Sequence, residues 1–276
     1  MTTTTIRHGD PAGSADPAGQ GLIVRAGDVL ISEWTKLRSV RSTYWALLVA
    51  AVVSLAGSML AAFPVRRGAR LPDPVAFSFV GWAEYPVLAV GILGVLAFTS
   101  ECTTGQLRTT FTAVPRRLAV LAAKTAVVGS LALVFGELLA VASFSLTQAI
   151  LSRQDQGVSL SHPGAPGAVL AAGFVLVVVA VTGVALGAAI RHTAGAVAAL
   201  PVVFYLPLAL LSLPSPWNHR IDRFTLPVAA YQVVALHPAT NLLAPALSVL
   251  VLIAWPAIAL AAAAVLITRR AALKRR

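Results

Sequence analysis

The sequence predicts an all-α integral membrane protein with six transmembrane helices. An amphipathic interfacial helix precedes the first span, and a polar cytoplasmic segment separates the second from the third. Three features lead to this reading. Of 276 residues, 58% are apolar and only 11% charged, against about 25% charged in an ordinary soluble domain. Apolar runs of about 20 residues recur, long enough at about 1.5 Å per residue to cross a hydrocarbon core of about 30 Å. The net charge of +11 gathers in tails and connections beside these runs, which points to membrane orientation and away from a nucleic-acid partner.

Residues 1–21, rich in Thr, Pro, Gly, Ala and Asp, have almost nothing to bury and are expected to be a disordered cytoplasmic tail. No apolar core follows Met1 closely enough for a cleavable leader, so the first apolar run is expected to stay as a span. The remainder, 22–276, reads as one membrane domain. Its opening part, 22–42, sets Leu30, Trp34, Leu37 and Arg41 at helical spacing, with Val40 close by and Glu33, Lys36 and Arg38 on other faces. That pattern makes an amphipathic helix whose aromatic anchor, Trp34, suits contact with membrane lipid; a solvated helical stem is the plainer alternative.

The spans fall near Tyr44–Phe63, Val80–Thr99, Leu118–Ile150, Val169–Ile190, Ala194–Leu213 and Pro245–Thr268. The third is longer than a crossing requires and must tilt or protrude. Pro201 and Pro207 in the fifth and Pro256 in the sixth remove backbone donors, so kinks are expected there. Gly183 and Gly187, spaced GxxxG, permit close backbone approach, either within the chain or across a dimer face. In the outer connection, 212–244, residues 224–238 are too short to cross; they either dip into the outer leaflet or lie along it.

With the N-terminus inside, fifteen of the 21 Lys and Arg residues fall in cytoplasmic segments and six outside, namely Arg66, Arg67, Arg70, Arg153, Arg220 and Arg223. The positive-inside rule then places both termini in the cytoplasm of a multi-pass protein of the cell membrane, and segment 100–117 with them. The cluster Arg66, Arg67, Arg70 runs against this trend.

Little in the chain points to catalysis. There is no GxxxxGK[ST] phosphate loop, no HExxH pair and no GxSxG elbow. The histidines have no partners at ligand spacing, and the single cysteine, Cys102, excludes an intramolecular disulfide framework. No catalytic residue, cofactor-binding residue or metal ligand is therefore expected in this chain. Glu137, deep in the third run, is expensive to hold there and must face the bundle, be protonated or bond to a neighbour. It is either a contact on a transport pathway or a polar packing contact between helices.

The remaining polar feature is Glu101–Arg117, ECTTGQLRTTFTAVPRR, held between two apolar runs and suited to docking a partner from the water. Glu101 reads as a residue near a helix N-terminus, and Pro115 as a corner before the third span. Arg116 and Arg117 either anchor to anionic lipid or pair with a docked protein. The amphipathic SEWTKLRSVRS segment, the pattern E-x-x-x-G followed by VPRR and a lysine, and W-N-H-R…F-T-L-P before the last span occur in this order over residues 28–276. Together they resemble the permease subunit of type-2 ABC exporters, particularly the actinobacterial branch. The resemblance implies that 22–42 is the connecting helix along the membrane and 100–117 the coupling helix that fits a cleft on an ABC ATPase subunit. Glu101, Gly105, Arg108, Pro115, Arg116 and Arg117 would then lie on or beside that contact. It further implies that ATP and Mg bind the partner subunit, and that the pathway forms as a dimer with a second permease copy or a related permease. A membrane accessory or immunity protein without transport, and a secondary transporter, are the alternative expectations.

Overall fold

The computed structural model describes residues 17–39, 41–65, 71–82, 85–103, 117–209 and 221–273, and their regular structure is entirely helical. In chain order it comprises α1 (Pro17–Ser39), α2 (Arg41–Ala62), the short α3 (Pro74–Phe77), a 3-10 turn at Val80–Trp82 and α4 (Tyr85–Thr103). There follow α5 (Arg117–Ser152), α6 (Ala165–Ile190), α7 (Thr193–Ala209), a 3-10 turn at Asp222–Phe224, α8 (Leu226–Val234) and α9 (Pro245–Leu273). Five of them, α2, α4, α5, α6 and α9, are long and apolar enough to cross a membrane. Over its 17 described residues, α7 is shorter than the span expected at Ala194–Leu213, whose last residues lie outside those described.

The bundle is organised around α6, which packs against α4, α5, α7, α8 and α9. Its composition explains this place. Lipid tails are as apolar as leucine, so helices in a bilayer associate through close packing of small residues rather than through apolar burial alone. A Cβ on Gly183 would lie 2.2 Å from the Gly91 carbonyl oxygen, and one on Gly94 would lie 2.1 Å from the Ala180 carbonyl oxygen. The Gly183 and Gly187 pair therefore faces α4 within the chain. Pro201, Pro207 and Pro256 stand inside α7 and α9, which remain continuous helices through them.

The second candidate span starts at Val80, as the apolar run suggests, but its α-helix begins later. Val80–Trp82 is a 3-10 turn, not part of the helix, and α4 starts at Tyr85 and continues to Thr103. Pro86 is the second residue of α4, where the missing N–H costs no helical bond. The turn is held by Trp82 Nε1, which donates to Ser143 Oγ on α5 at 2.9 Å. It also needs glycine, because a Cβ on Gly81 would lie 2.5 Å from the Ser58 nitrogen of α2.

At the end of the bundle away from α1, buried polar side chains tie down irregular backbone that would otherwise be unsatisfied. Asp73 Oδ1 accepts from Val75 N at 3.1 Å and Ala76 N at 2.9 Å, capping α3, while Oδ2 accepts from His237 N at 3.0 Å. Gln148 Nε2 donates to the Pro74 carbonyl at 2.7 Å, and its Oε1 accepts from Val158 N at 2.8 Å. Gln232 on α8 bonds to Ala239 and Leu243 in the connection to α9. The nine-residue α8, within the stretch expected to dip into or lie along the leaflet, packs on α6 and α9 with Leu226, Ala229 and Gln232 buried.

Candidate functional site

At the opposite end, four charged side chains from three helices meet. Glu33 and Lys36 lie three residues apart on one face of α1, Glu101 in the last turn of α4, and Lys124 near the start of α5. Lys36 Nζ is 2.8 Å from Glu33 Oε1 and 2.9 Å from Glu101 Oε1. Lys124 Nζ donates to Glu101 Oε1 at 3.0 Å and to Glu33 Oε2. Each charge thus faces two of opposite sign, in a closed ring with no net charge.

Burial makes the ring consequential. The side chains of Glu33, Glu101 and Lys124 are 4%, 5% and 3% exposed, whereas Lys36 is 37% exposed. Taking an ion from water costs several kcal/mol, and only close opposite charges with good hydrogen bonds offset that cost. Burial opposes the charge on Lys36, but its hydrogen bonds to Glu33 and Glu101 and their negative charges outweigh this, holding its ammonium above the ordinary value. Glu101 Oε2 is buried without a hydrogen-bond partner among the described residues, so one acceptor of the ring faces no donor there.

The ring revises two expectations. Glu101 does not start a helix; it lies in the last described turn of α4, where two lysines supply its counter-charge. On α1, Leu30, Ile31 and Trp34 are exposed, as an interfacial anchor requires, and Arg38 is exposed too. Yet Glu33 and Lys36, expected on faces other than that of Leu30, Trp34 and Leu37, meet charges of the bundle, and Leu37 packs on its core. The reason is tertiary: their partners stand on α4 and α5, where no helical periodicity within 22–42 records them.

Gly105, Arg108, Pro115 and Arg116 lie outside the described residues; Arg117 opens α5, and its side chain lies outside them as well. What is described is the frame of that segment. Its two flanking helices are joined to each other and to α1 through Glu101 and Lys124. From the sequence, Lys124 is legible as a basic residue counted for orientation and as the lysine that follows VPRR, but not as the partner of two carboxylates. The signal that could have marked it is a lysine two turns beyond the VPRR corner, inside an apolar run, which needs a buried counter-charge. Glu137 stands apart from the ring on α5, its carboxyl lying over Gly173 of α6.

Among the described residues, no group of three His, Cys, Asp or Glu side chains could hold a metal ion. No protein-family model matches the chain, and no curated protein matches it.

Proposed function

We propose that this chain is the membrane-spanning permease subunit of an ATP-driven ABC exporter. In this reading it crosses the plasma membrane six times with both termini in the cytoplasm, pairs with a second permease, and docks separate ATPase subunits through Glu101–Arg117. The observation that carries the reading is the buried ring at the frame of that segment. A partner that displaces 104–116 pulls on Glu101 and Lys124 directly, and these residues are linked to each other and to Glu33 and Lys36. Movement at one docking point is thereby shared by α4, α5 and α1 instead of being lost in a flexible connection. The acceptor at Glu101 Oε2 is placed to take a donor from the segment or from its partner.

The six-crossing topology has its own support. Arg270 Nη1 donates to the Ala189 carbonyl at 3.0 Å, bringing the C-terminal ends of α6 and α9 together, while His237 bonds to Asp73 at the other end. Between Ile190 and His237 the chain passes from one end to the other, which supports a further crossing that begins with α7. With no phosphate loop in this chain, ATP and Mg bind on the partner.

The test is to express the chain with and without an ABC ATPase encoded beside it, and to measure co-purification and ATP-driven efflux. Stable co-purification with ATP-dependent efflux supports the exporter. A chain that binds a protein partner without moving any solute is an accessory protein, and efflux driven by an ion gradient without an ATPase marks a secondary transporter.

A further inference from the structure

Glu137 takes no part in the ring. It lies about 20 Å further along α5 than Lys124 at about 1.5 Å per residue, well inside a core about 30 Å thick. Here α5 and α6 cross on two glycines: a Cβ on Gly136 would lie 2.8 Å from the Gly173 carbonyl oxygen, and one on Gly173 would lie 2.4 Å from Glu137 Oε1. The bare backbone of Gly173 is the floor on which the carboxyl rests. The side chain is half-buried, and among the described residues none donates a hydrogen bond to it. Leu133, Leu138 and Val141 on α5 and Leu170 on α6, all exposed, flank it with apolar surface.

We infer that Glu137 and this apolar shoulder of the α5–α6 crossing form a binding site for an amphipathic cation, a single positive charge carried on an apolar body. The surroundings select that class. An anion is repelled, and a neutral lipid tail leaves the carboxylate uncompensated. A hydrated metal ion would have to give up its water for one carboxylate. A second copy of this chain would not bring its Lys124, the lysine inside its α5, because that ammonium is held in its own ring. An amphipathic cation brings both the counter-charge and the apolar cover. That such a cation is exported cargo rests on the exporter proposal; its binding does not.

The probe is tetraphenylphosphonium, with neutral triphenylphosphine oxide as comparator, bound to the purified full chain in lipid nanodiscs. Glu137→Gln should weaken phosphonium binding roughly tenfold or more and leave the neutral compound unchanged. Gly173→Ala, which displaces the carboxyl from its floor, should weaken it in the same direction. Equal phosphonium affinity in wild type and a folded Glu137→Gln protein overturns the inference. A second measurement needs no variant: dicyclohexylcarbodiimide should label Glu137 from the lipid, and phosphonium should slow that labelling as read by peptide mass spectrometry. Labelling at the same rate with and without phosphonium overturns it too. Glu137-dependent binding without ATP-driven efflux keeps the site and sinks the exporter, whereas ATP-driven efflux without Glu137-dependent binding does the reverse.

Discussion

Lys124 on α5 donates a hydrogen bond to Glu33 on α1 across 91 residues of sequence. The same ammonium donates to Glu101 on α4 at 3.0 Å, so one side chain joins α1 to both helices that frame 104–116. A lysine 3% exposed is tolerated at the start of a membrane helix because two carboxylates surround it, and each carboxylate is tolerated because of the lysines.

Removing one member of the ring should therefore cost more than removing two. Lys124→Met leaves two buried carboxylates with only the half-exposed Lys36 to answer them, and is expected to destabilise the protein by about 3–5 kcal/mol. Adding Glu33→Gln to it should recover part of the loss. A thermal-unfolding double-mutant cycle reads this directly, and simple additivity of the two substitutions would contradict a coupled ring.

Lys36 gives the ring an alkaline limit. Its ammonium is held above the ordinary value of 10.5, so its stabilising contribution is fully present below that value and is lost as pH rises through the raised one. The thermal midpoint of wild type should exceed that of Lys36→Met at neutral pH, and the gap should close only on the alkaline side of 10.5. A gap that closes between neutral pH and 10.5 would contradict this assignment.

The glycines of α6 should separate by what they touch. A Cβ on Gly183 meets the Gly91 carbonyl oxygen at 2.2 Å, whereas one on Gly167 meets nothing within 4 Å. Gly183→Ala is expected to cost about 1–3 kcal/mol through overpacking. Gly167→Ala should be neutral or stabilising by up to about 1 kcal/mol, since alanine is the better helix former. Equal effects in chemical or thermal unfolding would mean that the α4–α6 contact is looser than described.

The contrast between the two glycines also shows what the sequence could reveal. Apolar runs located the long helices, because a membrane solvent imposes length and hydrophobicity on each span independently of its neighbours. GxxxG announced a close approach at Gly183 and Gly187 but not its partner, since the facing residues, Gly91 and Val95, stand on another helix. The ring was hidden for the same reason. Lys36 and Glu101 are 65 residues apart, and local rules placed Glu101 at a helix start although it stands inside α4, held by lysines of other helices. Asp73, Gln148 and Gln232, which pin the opposite end, carried no pattern at all; their partners are backbone groups brought close only by the fold.

The central claim is that Glu101–Arg117 docks an ATPase and passes its movement through the ring to α4 and α5. Its most direct measurement is co-purification of the ATPase, ATP hydrolysis and efflux in the same vesicles for wild type, Gly105→Trp and Arg108→Glu. The account predicts that both variants insert normally and yet lose ATPase binding or hydrolyse ATP without moving solute. Unchanged binding and coupling in both would contradict it, and a defect confined to insertion after charge reversal at Arg116 and Arg117 would assign the segment to lipid anchoring instead.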